Sequence, residues 1–133
     1  MKAFVSAGCT ALKKGQTLLY PTDTIWGIGC DATNPDAVNS IYEIKQRADS
    51  KALICLVSDL TMLEELTGPL ETKIKKIALS KKPTTIIYPK AEGLAGNLRA
   101  ADGSVGIRIV QDEFCQNLIQ AFGKPIVSTS ANI

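Results

Sequence analysis

Leu18-Leu19-Tyr20-Pro21-Thr22-Asp23-Thr24-Ile25-Trp26-Gly27-Ile28-Gly29 sets a compact polar insert between two apolar segments. Proline cannot donate to a sheet ladder, so Pro21 is expected to end a first strand, with a second beginning at Ile25. Two hydroxyls and a carboxylate then stand where a continuing strand would carry Val or Ile. They can close an Asx or hydroxyl turn on local backbone, or they can meet a ligand. The end of a buried strand is thereby marked as a candidate binding surface.

Outward from this insert, strands and helices alternate, the pattern of an α/β sheet with helices on its faces. Strands are predicted over 17–20, 25–30, 52–57, 84–88, 105–110 and 125–129, each apolar or β-branched and most bounded by Gly, Pro or Asp. The clearest helix is 112–122, where Asp112 can cap the start, Cys115, Leu118, Ile119 and Phe122 form a stripe, and Gly123 supplies the stop. Another is expected over about 70–81, between Gly68-Pro69 and Pro83. No linker or repeat interrupts the pattern, so residues 1–133 are read as one domain, with a core that hides about two-thirds of the unfolded chain's surface.

Composition narrows the chemistry. Apolar residues make up 45% and charged residues 21%, ordinary for a globular chain, and no segment has the length and apolarity of a membrane span. A net charge of +2 permits phosphate contact without announcing a nucleic-acid binder. The densest basic region, Lys73, Lys75, Lys76, Lys81 and Lys82, reads as a solvated helix face. Cysteines at 9, 30, 55 and 115 form no C-x-x-C pair and lack a credible signal peptide, so reduced core thiols and a cytoplasmic location are expected. Val5-Ser6-Ala7-Gly8-Cys9 looks like a lipoprotein cleavage box, but too few apolar residues precede it. The chain has no histidine, which excludes Ser-His-Asp and Cys-His triads and His-ligated metals within it. Walker A is missing as well, and Gly27-Ile28-Gly29 lacks the third glycine of a dinucleotide fingerprint. Any nucleotide must be held another way.

A third helix supplies cations. Asn34 is a good N-cap, Pro35 suits the first helical position, and Asp36 lies near the positive end of the dipole. Its stripe of Val38, Ile41 and Tyr42 continues onto Lys45. Arg47 can meet the same ligand as Lys45 if the helix ends near residue 46; alternatively, both cations complement the helix C-terminus. The last expected strand, from Pro125, runs into Ser128-Thr129-Ser130-Ala131-Asn132, placing hydroxyls at a strand end, where open α/β sheets hold ligands and where turns also form.

Five segments in order carry a resemblance: Pro21-Thr22-Asp23-Thr24-Ile25-Trp26-Gly27, Lys45-Gln46-Arg47, Pro83-Thr84-Thr85, Val105-Gly106-Ile107-Arg108 and Ser130-Ala131-Asn132. Together they are similar to the motifs of the threonylcarbamoyl-AMP synthase family, the YrdC-like proteins. The resemblance implies a twisted, open, mixed β-sheet flanked by helices, and an enzyme that joins L-threonine, bicarbonate and ATP into threonylcarbamoyl-AMP and pyrophosphate for tRNA modification. It implies that Lys45, Arg47, Lys51, Thr85, Ser128, Ser130 and Asn132 face the nucleotide, with Mg2+ accompanying it, that Thr24 and Arg108 face threonine, and that Lys45 and Arg47 are catalytic. It further implies contact with tRNA or double-stranded RNA and with other tRNA threonylcarbamoyl-transfer proteins. Ala48 stands where a proline commonly follows the K-x-R, and Leu56 aligns near a histidine that touches threonine in some members. The family domain usually continues past the S-x-N, so the chain is expected to lack its C-terminal flank. A non-catalytic paralogue that holds nucleotide or double-stranded RNA in the same cavity is the alternative.

Overall fold

The structure is a computed structural model that describes residues 2–21, 26–45, 53–82 and 84–130. Six strands form one sheet in the order β1-β2-β6-β3-β5-β4: β1 Leu18–Pro21, β2 Trp26–Asp31, β3 Ile54–Val57, β4 Thr85–Tyr88, β5 Val105–Ile109 and β6 Ile126–Ser130. Only β3 and β5 run parallel, and the other four contacts are antiparallel. The sheet is therefore mixed and open, as expected. Each predicted strand is present within a residue or two, and Pro21 is the last residue of β1.

Alternation along the strands divides the core in two. Cys55, Val57, Ile107 and Val127 face α2 (Pro35–Lys45), α3 (Leu60–Thr67) and α4 (Thr72–Ala78) through Val38, Ile41, Leu63 and Ala78. Leu56 and Ile126 point the other way, into Leu12 of α1 (Lys2–Lys13) and Leu118, Ile119 and Phe122 of α5 (Glu113–Phe122). Neighbouring residues on one strand thus serve opposite layers, as a period of two requires.

Local signals act as read. Asn34 Oδ1 accepts from the Asp36 and Ala37 amides, and Asp112 Oδ2 accepts from the Cys115 amide at 2.9 Å. Gly123 ends α5 in the left-handed region at φ 81, where glycine carries no Cβ penalty. The helix expected over 70–81 is shorter: Glu71 stands at the N-cap position without a side-chain capping bond, and the chain leaves helical geometry at Leu79. Lys73, Lys76, Lys81 and Lys82 are exposed, while Lys75 is half-buried 3.7 Å from Glu64, whose Oε2 also accepts from the Leu70 amide. That pair ties α4 to α3. Helices α1 and α3 were not among the predicted elements; α1 covers the segment that mimics a lipidation box and buries Cys9 and Leu12 against α5.

All four cysteines are buried thiols without a disulfide. Burial pushes the Cys30 thiol up to about 12 from 9.0, and raises Cys55 and the Tyr20 phenol further. These groups are neutral when protonated, so as pH climbs the unfolded chain releases their protons first, and folding then loses stability. Their contribution is complete below the unfolded values near 9 and 10 and declines above them. Melting temperature should hold to about pH 8.5 and then fall, at up to about 1.4 kcal/mol per pH unit for each group. A flat thermal profile to about pH 11 would contradict the burial of these groups.

Candidate functional site

The register brings sequence-distant polar residues to one face. Arg108 of β5 is paired with Leu56 on one side and Thr85 on the other, while Ser128 of β6 is paired with Ile54 and Gly29. Directly paired residues share a face with Cβ atoms about 4.5–5.5 Å apart. Leu56 and Ile126 belong to the α1/α5 layer, so Thr85, Arg108 and Ser128 lie on that layer's side of the sheet. Ser130 follows Ser128 by alternation at the last position of β6, opposite Gly27.

Burial grades across this face. Arg108 is 9% exposed and Ser128 5%, whereas Thr85 is exposed and Ile87 beside it is 66% exposed. The helices therefore stop short of β4, leaving the β4 edge of the face open. Gly106, two residues before Arg108, deepens the opening: a Cβ there would lie 3.1 Å from Thr85 Cγ2 and 3.3 Å from Ile87 Cδ1. The resulting depression, about 250 Å3, is lined by Leu53, Ile54, Ile87, Leu98, Ser104 and Gly106. A buried guanidinium beside a small apolar hollow and a row of hydroxyls can hold an anionic, partly apolar molecule. A larger groove of about 650 Å3 runs between α1 and α5 past Cys9, Lys13 and Glu113, and includes none of the residues proposed from the sequence to hold threonine or nucleotide.

Lys45 is the last residue of α2, and the described chain re-enters the sheet at Ile54, opposite Ser128. Thr24, Arg47, Lys51 and Asn132 lie outside the described residues. Leu56 has no exposed surface and packs with Ile126, so an aliphatic side chain adjoins Arg108 at the position aligned near the family histidine.

Two residues at the site escaped the sequence reading. Tyr20, taken there as part of an apolar triplet, is 1% exposed, and its hydroxyl donates to the Val127 carbonyl oxygen at 3.4 Å. Burial raises its pKa well above the ordinary phenol value, with Ser128 and the Arg108 charge opposing the rise. Gly29 makes room for it. A Cβ on Gly29 would lie 2.5 Å from Val127 O and 2.6 and 2.7 Å from the Tyr20 ring carbon Cε1 and hydroxyl. The glycines of Gly27-Ile28-Gly29 thus belong to strand packing, and the only available signal was a tyrosine directly before Pro-Thr-Asp-Thr.

Residues 10–133 match the Sua5/YciO/YrdC family, described as telomere recombination. The chain belongs to the Sua5/YciO/YrdC family. It is 35% identical over 131 residues to the threonylcarbamoyl-AMP synthase of Hahella chejuensis, covering 97% of this chain and 71% of that protein. Against the threonylcarbamoyl-AMP synthase of Bacillus subtilis it is 34% identical over 97% of its own length, but spans only 38% of the relative. The crystal structure of P. abyssi Sua5 complexed with L-threonine matches the whole chain with a TM-score of 0.90 and 26% identity, the chain spanning 40% of that protein. The Sua5/YciO/YrdC fold accounts for the mixed open sheet; of the five motif segments Val105–Arg108 lies on β5, and the described parts of the others, Pro21 with Trp26 and Gly27, Lys45, Thr85 and Ser130, lie on β1 and β2, α2, β4 and β6.

Proposed function

We propose that this protein is an L-threonylcarbamoyladenylate synthase, forming threonylcarbamoyl-AMP and pyrophosphate from L-threonine, bicarbonate and ATP in the cytoplasm for threonylcarbamoyladenosine modification of tRNA. The observation that carries the reading is the convergence of Thr85, Arg108 and Ser128 on one partly open sheet face. The synthase names of its relatives and the L-threonine complex of P. abyssi Sua5 support it.

In this reading Arg108 and Thr24 hold threonine, with the buried guanidinium taking the carboxylate. Lys45, Arg47, Lys51, Thr85, Ser128, Ser130 and Asn132 hold the nucleotide. The threonine amine takes up bicarbonate with loss of water, and an oxygen of the resulting carbamate attacks the α-phosphorus of ATP, breaking its bond to pyrophosphate. Lys45 and Arg47 stabilise the charge that develops on the phosphates, which is positioning and electrostatic work that needs no histidine. In this reading magnesium would accompany the triphosphate as part of the substrate. Product passes to other tRNA threonylcarbamoyl-transfer proteins, with tRNA or double-stranded RNA contacting the same molecule.

The buried Leu56 favours a second reading, a non-catalytic paralogue that binds nucleotide or RNA. Pyrophosphate release separates the two. Release from ATP that requires both L-threonine and bicarbonate is expected of the synthase; ATP binding without such release would reject it in favour of the paralogue.

A further inference from the structure

Burial secures the first turns of α2 and stops before the last. Ala37, Val38 and Ile41 are at most 1% exposed, whereas Glu43 and Ile44 are exposed and Lys45 is the final helical residue. The last turn of a helix has carbonyls without intrahelical partners, and it frays unless something outside takes hold of it. Tyr42 supplies that hold. Its ring packs against the core, and its hydroxyl donates to the Asn97 carbonyl oxygen at 2.7 Å. Asn97 lies in a short 3-10 helix, Gly96–Leu98, and its side-chain Nδ2 donates to the Pro35 carbonyl oxygen at 2.9 Å. One residue thus grips α2 at its first turn and at its last, two points about two helical turns apart and so on one side of the helix. The bracket is itself anchored. The Ala95 amide donates to the Ala32 carbonyl oxygen just past β2 at 2.9 Å, the Ala100 amide donates to the Ser104 carbonyl oxygen ahead of β5 at 2.8 Å, and Leu98 is buried. Leu98, Ala100 and Ser104 also line the hollow at Gly106.

We propose that Tyr42 and Asn97 are positioning residues, through which the Gly96–Leu98 bracket fixes the last turn of α2, and with it Lys45, relative to the hollow. The proposal rests on the synthase reading, which gives Lys45 the charge developing on the phosphates. One anchored segment then sets the separation between a wall of the ligand hollow and the cation that acts on the phosphates. Acting through Lys45, neither residue has to touch substrate. A bond of merely structural use would lower stability and leave chemistry alone wherever the fold is intact. A positioning bond has the opposite signature, because a displacement of about 1 Å can cost on the order of 100-fold in rate.

Threonine-dependent pyrophosphate release, measured on wild type, Tyr42→Phe, Asn97→Ala, Lys45→Met and each of the first two variants combined with Lys45→Met, tests this alongside thermal unfolding. Tyr42→Phe should lower kcat roughly 10- to 100-fold and leave KM for ATP within about twofold of wild type, because Lys45 acts on charge that appears in the transition state. Its melting temperature should stay within a few degrees of wild type. Asn97→Ala should show the same pattern more weakly, since the carbonyl that receives Tyr42 remains. In the Lys45→Met background neither substitution should cost anything further, because both act through that ammonium. Wild-type kcat in Tyr42→Phe, a loss carried by KM alone, or an undiminished loss in the Lys45→Met background would each overturn the proposal. If Tyr42→Phe melts below the assay temperature, Asn97→Ala decides by the same criteria. Absence of threonine-dependent release in wild type would instead overturn the synthase reading, and hydrogen exchange then judges the bracket. Faster exchange in Tyr42→Phe confined to the amides of Tyr42–Lys45 supports it, whereas unchanged exchange, or a rise spread over other helices, overturns it.

Discussion

Lys45→Met is expected to lower threonine-dependent pyrophosphate release roughly 100- to 1000-fold, the cost of removing one preorganised donor from developing charge. Folding should hardly notice. Lys45 is the final residue of α2 and the next position on a helical stripe whose earlier members, Val38 and Ile41, have no exposed surface. A cation that served only the helix dipole would be worth about 0.3–1 kcal/mol of stability and nothing in turnover. The two explanations therefore predict opposite patterns, with methionine keeping length while removing charge. Melting temperature should stay within a few degrees of wild type or rise, since relieving repulsion among neighbouring cations offsets any lost dipole interaction. Arg47→Lys should also be damaging, because an ammonium cannot reproduce a bidentate guanidinium contact. Wild-type turnover in both variants would remove the phosphate assignment and leave the dipole explanation.

Gly29→Ala should be the most damaging single methyl addition in the sheet. Its Cβ would sit 2.5 Å from the Val127 carbonyl oxygen, a backbone atom of the paired strand, and under 3 Å from two atoms of Tyr20. No rotamer change relieves a clash with backbone, so β2 and β6 must separate. Overpacking of this kind costs about 1–3 kcal/mol or more, which in a domain of this size lowers melting temperature by about 5–15 °C. Adding Tyr20→Phe should not restore stability, because the carbonyl contact remains. Gly96→Ala provides the control, since a Cβ there meets nothing within 4 Å. If Gly29→Ala melted with Gly96→Ala, the close packing of Gly29 against the Val127 carbonyl would be wrong.

Much of the architecture was legible because local signals agreed with the final packing. Apolar or β-branched runs, most bounded by Gly, Pro or Asp, marked all six strands, and the Asn34 and Asp112 caps and the Gly123 stop placed α2 and α5 within a residue or so. Helix α1 was harder to see. Its interior carries Ser6, Gly8, Cys9 and Thr10, weak helix formers whose helicity comes from packing on α5. The length of α4 was misread because its bounds were set by Gly68-Pro69 and Pro83, whereas the chain leaves helical geometry at Leu79, which is 51% exposed. At the site, cations and hydroxyls announce themselves by residue type. What pairing does to them does not: that Arg108 stands between Leu56 and Thr85, and that Tyr20 reaches the Val127 carbonyl across Gly29, depends on non-local register.

The strand order has a consequence for the birth of the molecule. β6, the last strand in the described chain, lies in the middle of the sheet and supplies the ladder that joins the β1-β2 hairpin to the β3-β5-β4 block. During synthesis those two blocks share no strand-to-strand ladder until Ile126–Ser130 has left the ribosome, and each meanwhile exposes a strand edge that β6 will later cover. Closure is thus a late, long-range event, which places folding toward the slow end for a domain of this size and makes the nascent chain a client for whatever shields bare strand edges. The strand that carries the serines is also the latch of the fold.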